Sequence, residues 1–365
     1  MARRRASGTA CIVFSVLVGC AGDGHITSEG LEARLQRVVD QYLADRSVPG
    51  ISVAVVIDGD IYRAIGGLAD VENGRKVGID DEFRLASVTK NYVAALAVDL
   101  ASDGVVGLDD TTGRWLPDLP SALEPMRDVT LRQLLSHTSG LAQTYTDDRD
   151  RGRVLSTNDV LARIPPPVCE PDRCWSYADG NYVLAGLMLE AATGLPIATL
   201  MDDRFFDPLE LTHTRFIDER SADVVPQYIL AVDATGTPIV PNQFRRQRLP
   251  VHRNDAAGGM QASATDLARW GDALFRARAT SADVVRALLD IDAMRDLPCP
   301  NQCPYQYGLG TYHYTIDGTE FVGHDGSSGA VLVHDIDRAT TIAIVTNGSE
   351  HATDVLLRAI LAALG

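Results

Sequence analysis

The sequence predicts an α/β protein of the α+β kind: one antiparallel sheet assembled from both ends of the chain, covered by helices, with a mainly helical lobe between. Three observations carry this. Near the front, Ile51–Ile57 and Ile61–Gly67 are apolar runs around Asp58-Gly59-Asp60, which reads as a hairpin turn. Near the back, Gly308–Ile316, Val331–Asp335 and Thr341–Thr346 read as three more strands. The middle, about 91–290, is dominated by helical periodicity and loops.

The elements follow in order. Arg3, Arg4 and Arg5 precede the apolar stretch Ala10–Leu17, and Leu17-Val18-Gly19-Cys20 reads as a lipobox. Residues 1–19 are therefore expected to be a lipoprotein signal peptide, with Cys20 acylated and 20–30 a polar tether. That places the protein outside the cytoplasm, lipid-anchored on the extracytoplasmic face of a bacterial membrane; the alternative is a secreted or periplasmic protein cut elsewhere. No other stretch is long enough to span a bilayer. Leu31, Leu35, Val38, Val39, Tyr42 and Leu43 recur at helical spacing, so 31–45 is an amphipathic helix that Pro49-Gly50 ends. Further helical patterns cover Val93–Ala101, Leu131–Leu135, Asn181–Ala192, Thr265–Ala277 and 352–364. The folded domain is expected to span 31–365, with a sheet lobe at 31–85 and 291–365 and a helical lobe at 86–290.

At 365 residues the chain can bury a large core. Its net charge of −16 argues against nucleic acid and against electrostatic docking on anionic lipid. Removing the signal takes away three arginines and makes the chain more acidic still. Arg245, Arg246, Arg248 and Arg253 form a basic patch that reads as a solvated loop. Apart from Cys11 and Cys20, four cysteines remain, and export favours disulfides. Their closeness pairs Cys169 with Cys174 and Cys299 with Cys303; cross-pairing stays open, and a four-cysteine zinc site is the competing reading.

Chemistry concentrates in Ser87-Val88-Thr89-Lys90, an S-x-x-K tetrad before the apolar run Tyr92–Leu100. Three-residue spacing puts hydroxyl and amine on one helix face. Ser87 in the first turn would meet free N–H groups and the positive end of the helix dipole, and that dipole would help keep Lys90 neutral as its base. The cationic side chains number 33 and only Lys76 and Lys90 are lysines. Arginine does not give up its proton, so a lysine is retained where a base is needed. A second signal is Tyr177-Ala178-Asp179 ahead of a helix, where a tyrosine beside a reactive lysine can relay a proton once the cation lowers its pKa. The bland reading makes Asp179 a helix N-cap. A third is Gly323-His324-Asp325-Gly326-Ser327-Ser328-Gly329, whose glycines let a substrate approach a strand.

These segments, in this order, resemble the penicillin-recognising serine hydrolases: class C β-lactamases, D-Ala-D-Ala carboxypeptidases and family VIII-type esterases. Phe83–Lys90 resembles their active-site segment, Tyr177-Ala178-Asp179 their Tyr-x-Asn element, and His324-Asp325-Gly326 their Lys/His-Thr-Gly element. Leu134–Leu141 and Gly258–Leu267 look like further hallmarks. The resemblance implies a five-stranded antiparallel sheet flanked by helices, with the active site between it and the helical lobe. It implies Ser87 as acylated nucleophile, Lys90 as base, Tyr177 as proton relay, and the N–H groups of Ser87 and Ser327 as oxyanion donors. It points to no cofactor and no metal. His137 reads as structural.

Two positions depart from the family pattern. An ionised Asp179 only accepts hydrogen bonds, where an amide both donates and accepts. Asp325 replaces a threonine that helps hold a substrate carboxylate. If both side chains face the cleft, an ester, or an amide with a neutral or cationic leaving side, suits the site better than a penicillin or a D-Ala-D-Ala peptide. The expected partner is a small-molecule or peptide substrate; protein partners are not legible. A metallohydrolase lacks its H-E-x-x-H and an α/β-hydrolase its G-x-S-x-G. A non-catalytic ligand-binding lipoprotein on the same scaffold is the rival outside enzymes.

Overall fold

The computed structural model describes residues 28–365 apart from 46–47, 144–153, 218–223, 231–243, 248–250, 253–254, 293, 295–296, 299–305 and 349–352. The signal peptide, Cys20, Cys299, Cys303, Arg248 and Arg253 lie outside the described residues. Five helices have twelve or more residues: α1 (Ser28–Asp45), α2 (Thr89–Ser102), α3 (Asp179–Thr193), α4 (Ala264–Phe275) and α5 (Thr353–Leu364). None is long and apolar enough to cross a membrane singly.

The main sheet takes its strands from both ends of the chain: β1 (Gly50–Ile57), β2 (Asp60–Asp70), β3 (Arg75–Lys76), β4 (Gln306–Tyr307), β5 (Tyr312–Ile316), β6 (Thr319–Gly326), β7 (Ala330–Asp335) and β8 (Thr340–Thr346). Their order is β4-β5-β6-β7-β8-β1-β2-β3, every pair antiparallel. β1 joins the strands from the two ends of the chain, with Ile51 opposite Thr346 and Ile57 opposite Thr340 of β8. The described sheet thus has six long strands and a two-residue strand at each edge, rather than five. Two differences come from sequence signals of opposite kind. Thr319–Gly326 is a full strand although its two glycines and polar residues disguise it. Gly308–Thr311 turns instead of starting a strand, with Gly310 in the left-handed region at φ 64°.

Both sheet faces are covered, which is why β1 and β8 read as unbroken apolar runs instead of alternating. On the outer face Val53, Val55, Val331, Val333, Ile342 and Ile344 pack against Leu31, Leu35 and Val39 of α1 and Leu356, Leu357 and Ile360 of α5. On the inner face Ala54, Val56, Leu332, Ala343 and Val345 join one core with α2, α3 and α4. Each fully buried aliphatic side chain there contributes about 1.5–3 kcal/mol.

The middle of the chain also carries short strands. Met260–Ala262 pairs with Phe83–Arg84 and with Thr214–Phe216, so it fastens the segment before Ser87 to the helical lobe. Helix ends are capped as their sequences dictate. Ser263 accepts from Asp266 N–H at the start of α4, Thr130 and Gln133 form a capping box before Leu131–Leu135, and α3 ends at Gly194 with φ 72°. Arg245 and Arg246 lie exposed on the strand Phe244–Arg246.

Candidate active site

Ser87 sits in a 3₁₀ turn, Ala86–Val88, that runs into α2 at Thr89. The turn is held on two sides. Leu85 N–H donates to Met260 O at 2.9 Å, and Met260 N–H donates to Thr89 Oγ1 at 3.2 Å. Ala86, just before the serine, has φ 44°, a conformation costly for a residue with a Cβ and concentrated at functional sites.

One helical turn later, Lys90 is fully buried. Its stem packs in the core and its Nζ donates to Ser87 Oγ at 3.2 Å, Ala257 O at 2.7 Å and Asp179 Oδ1 at 2.6 Å. An ammonium has three donors, and each of these three oxygens can accept one. The helix dipole is therefore not the nearest electrostatic influence on Lys90: Asp179 stands against it as an ion-pair partner at 2.6 Å. Asp179 is the first residue of α3, with Ala178 as N-cap, so aspartate serves here through its carboxylate on Lys90. Gln143 completes that carboxylate, donating from Nε2 to Oδ2 at 3.0 Å while its Oε1 accepts from Asp179 N–H at 2.7 Å.

The Tyr177 phenol is close enough to Ser87 for the serine to act on its pKa, and its ring lies 4.9 Å from Lys90 Nζ. Burial, then the charge of Asp179, push its phenol well above the usual range. This reverses the expectation that the neighbouring cation lowers it. Tyr177 is a phenol, a proton donor, at any ordinary pH.

His137 explains how the Tyr177 segment is held. Its Nδ1 accepts from Ala178 N–H at 3.2 Å and lies 2.9 Å from Asn181 Nδ2, and its carbonyl accepts from Ser176 N–H. Nδ1 is therefore the bare nitrogen. Burial, then Lys90 and His324, hold the ring neutral, far below its ordinary pKa. The ring packs 4.3 Å from that of Tyr177.

β6 closes the other side. His324 faces inward: its Nδ1 lies 2.7 Å from Asp325 O, its Nε2 3.1 Å from Tyr307 Oη. A carbonyl only accepts, so Nδ1 carries the proton and Nε2 accepts from the tyrosine. Burial, reinforced by Lys90, lowers its pKa to about 3. Asp325 does not share that face. It stands opposite Val331 of the outer core, accepts from Tyr314 Oη at 2.9 Å, and lines an outer cleft of about 190 Å³ with Thr353 and Leu357. Successive strand residues point to opposite faces, so one strand cannot present both His324 and Asp325 to the same site. The expectation of two carboxylates facing the cleft is corrected to one, Asp179, although the charge of Asp325 is still felt at Tyr177.

Gly326 brings the end of β6 against the nucleophile's turn. A Cβ there would stand 2.2 Å from Leu85 O and 3.3 Å from Ala86 Cβ. Ser328 Oγ donates to Arg84 O at 2.7 Å and ties the following turn, which contains Ser327, to the same segment. The structure thus brings Ser87, Lys90, Tyr177, Asp179, His324 and Gly326 together. It adds three groups that sequence reasoning missed: Gln143, Tyr307 and the carbonyl of Ala257. Ala257 and Gln143 lie beside quoted hallmark segments, which was a usable signal; nothing in the sequence marks Tyr307. Cys169 and Cys174 form a disulfide on the loop beside Gly140. Among the described residues no three His, Cys, Asp or Glu side chains are grouped to hold a metal ion.

Comparison with known proteins gives the family and the fold. The family model for Beta-lactamase matches residues 35–365. Esterase EstB of Burkholderia gladioli is 33% identical over 282 residues, 68% of this chain and 71% of the esterase. Penicillin-binding protein 4 of Amycolatopsis lactamdurans is 34% identical over 196 residues, and the match spans only 50% of that protein's length. Among solved structures, D-amino acid amidase from Ochrobactrum anthropi SV3 superposes with a TM-score of 0.79 over 92% of this chain and 98% of its own. At 24% identity that likeness speaks to the fold.

Proposed function

This chain belongs to the Beta-lactamase family of serine hydrolases, and we propose that within it the chain is an esterase-like hydrolase working through an acyl-enzyme on Ser87. Ser87 Oγ attacks an acyl carbonyl, and its proton leaves toward Lys90. The N–H groups of Ser87 and Ser327 receive the oxyanion, and Tyr177, a phenol, hands a proton to the departing alcohol. Water then attacks the acyl-enzyme by the same route. Export and lipidation at Cys20 belong to the same proposal and rest on the lipobox reading.

The observation that carries the substrate class is the neutral His324. Its strand position is where the family's third element offers a lysine or histidine to the substrate, yet its pKa near 3 leaves no positive charge to hold a carboxylate. The cation that meets Ser87 among the described residues, Lys90, is already committed to Asp179. A substrate without a free carboxylate beside the scissile bond is therefore favoured, which is the chemistry of simple esters and neutral amides. The likeness to Esterase EstB supports this reading. A D-alanyl peptidase is the second reading, favoured by the likeness to Penicillin-binding protein 4. Multiple-turnover hydrolysis of p-nitrophenyl acyl esters, lost in Ser87→Ala, is expected, with fluorophosphonate but not penicillin labelling Ser87. Hydrolysis of a D-Ala-D-Ala peptide far faster than of the esters would overturn the esterase reading.

A further inference from the structure

The site as described has a vacancy in its proton accounting. Lys90 is an ammonium with all three donors engaged, and Tyr177 is a phenol, so neither can take the proton of Ser87 as it stands. Other groups facing the pair do not fill the gap. His137, from the turn after Leu131–Leu135, has its bare Nδ1 occupied by Ala178 N–H. His324 of β6 accepts from Tyr307. The phenols of Tyr182 on α3 and Tyr307 on β4 are held protonated by burial. Asp325 lies on the outer face of β6, and Asp255 accepts from Ala257 N–H in the loop whose carbonyl Lys90 meets. One carboxylate touches Lys90 directly, and it is Asp179 at 2.6 Å.

We propose that Asp179 holds the proton during acylation, acting through Lys90. This rests on the hydrolase reading above and goes beyond it, because it makes Asp179 part of proton transfer rather than of substrate recognition. As Ser87 Oγ bonds to the acyl carbon, its O–H bond breaks and the proton goes to Lys90 Nζ. In the same movement Lys90 passes another of its protons to Asp179 Oδ1. Lysine stays an ammonium and aspartate becomes a carboxylic acid. When the tetrahedral intermediate collapses, the leaving alkoxide takes the proton of Tyr177; Tyr177 is refilled from Lys90, and Lys90 from Asp179. Hydrolysis of the acyl-enzyme repeats the cycle with water as the proton source, so the carboxylate is restored each time. Gln143 fits this role: its amide grips Oδ2 and its carbonyl takes the Asp179 N–H, which fixes the rotamer and leaves Oδ1 turned to Lys90.

The role has a signature in pH. With Asp179 present, the active form is the ion pair, and activity is lost only when acid protonates that pair. With asparagine, Lys90 must first release a proton to solvent before it can serve as a base. The acidic limb then moves to higher pH.

The test is kcat/KM for p-nitrophenyl butyrate between about pH 4 and 10, which reports the free enzyme's groups, on the full chain and its Asp179→Asn, Asp179→Ala and Asp179→Glu forms. Asn and Ala are expected to move the acidic limb to higher pH, because the group that must be free of its extra proton changes from the carboxylate–ammonium pair to the lysine alone. Part of the activity lost at neutral pH should return as the pH is raised. Glu, which restores a carboxylate, should return the limb toward the wild-type position. Two different deletions of the carboxylate keep the result independent of one variant's folding. Turnover with a limb that stays put in both, or moves to lower pH, overturns this inference and leaves the hydrolase reading intact. A folded wild-type enzyme that turns over no acyl ester removes both.

Discussion

Replacing Gly326 by alanine tests whether the end of β6 and the nucleophile's turn work as one rigid clamp. The added Cβ would stand 2.2 Å from Leu85 O, roughly 1 Å inside ordinary contact, and 3.3 Å from the Ala86 side chain. The obstructing atom is backbone, and the turn cannot yield easily because Leu85 N–H is bonded to Met260 O and Arg84 O to Ser328 Oγ. The strand end must therefore retreat by about an ångström, carrying the Ser327 N–H away from Ser87. A misplacement of that size costs about 10²-fold in rate, whereas overpacking costs about 1–3 kcal/mol of stability. Steady-state hydrolysis of p-nitrophenyl butyrate beside urea unfolding measures both. The loss should fall on kcat rather than KM, since the N–H pair acts on the oxyanion and not on bound ester. A folded variant within threefold of wild-type kcat would refute the clamp.

Two further outcomes follow from the buried histidines. His334 is buried against Phe275 and Thr341, and burial lowers its pKa to about 4. The unfolded chain therefore binds a proton below about pH 6.5 that the folded chain refuses, so stability falls as pH drops from there to about 4. His334→Gln should flatten this slope by up to about 1.4 kcal/mol per pH unit in urea unfolding at several pH values; an unchanged slope would contradict the assignment. His137→Ala strands the Ala178 N–H and the Asn181 amide in a buried site, and should lower unfolding free energy by about 3 kcal/mol and release Tyr177 from its position. Loss of activity without loss of stability would instead make His137 a direct participant.

Much of the sheet was readable because physics writes it plainly. β1 and β8 are covered on both faces, so each is a continuous apolar run, and α1 carries Leu31, Leu35 and Val39 at helical spacing onto that sheet. β6 was harder, since the glycines that let it approach Leu85 and cross β7 closely also erase the strand pattern. The motif residues named the chemistry but not its faces. Adjacent positions on a strand diverge, so His324 and Asp325 were separable from the sequence once a strand was recognised there. The Lys90–Asp179 pair was not legible: it joins residues 89 apart, and only the packing of α2 beside α3 sets the 2.6 Å contact.

The place of β1 between β2 and β8 has a consequence for how the chain comes to exist as a folded object. Its one neighbour, β2, is the next segment made, but its other neighbour is β8, and Gly50 N–H donates to the Asn347 side chain, 297 residues later. The β1–β8 seam thus waits for residues made almost 300 positions later, and α1 waits with it for α5. Such a topology folds slowly and late, because the loop-closure entropy of almost the whole chain is spent before the seam rewards it. Until β8 is made, β1 has only β2 beside it, and the sheet cannot close across that seam.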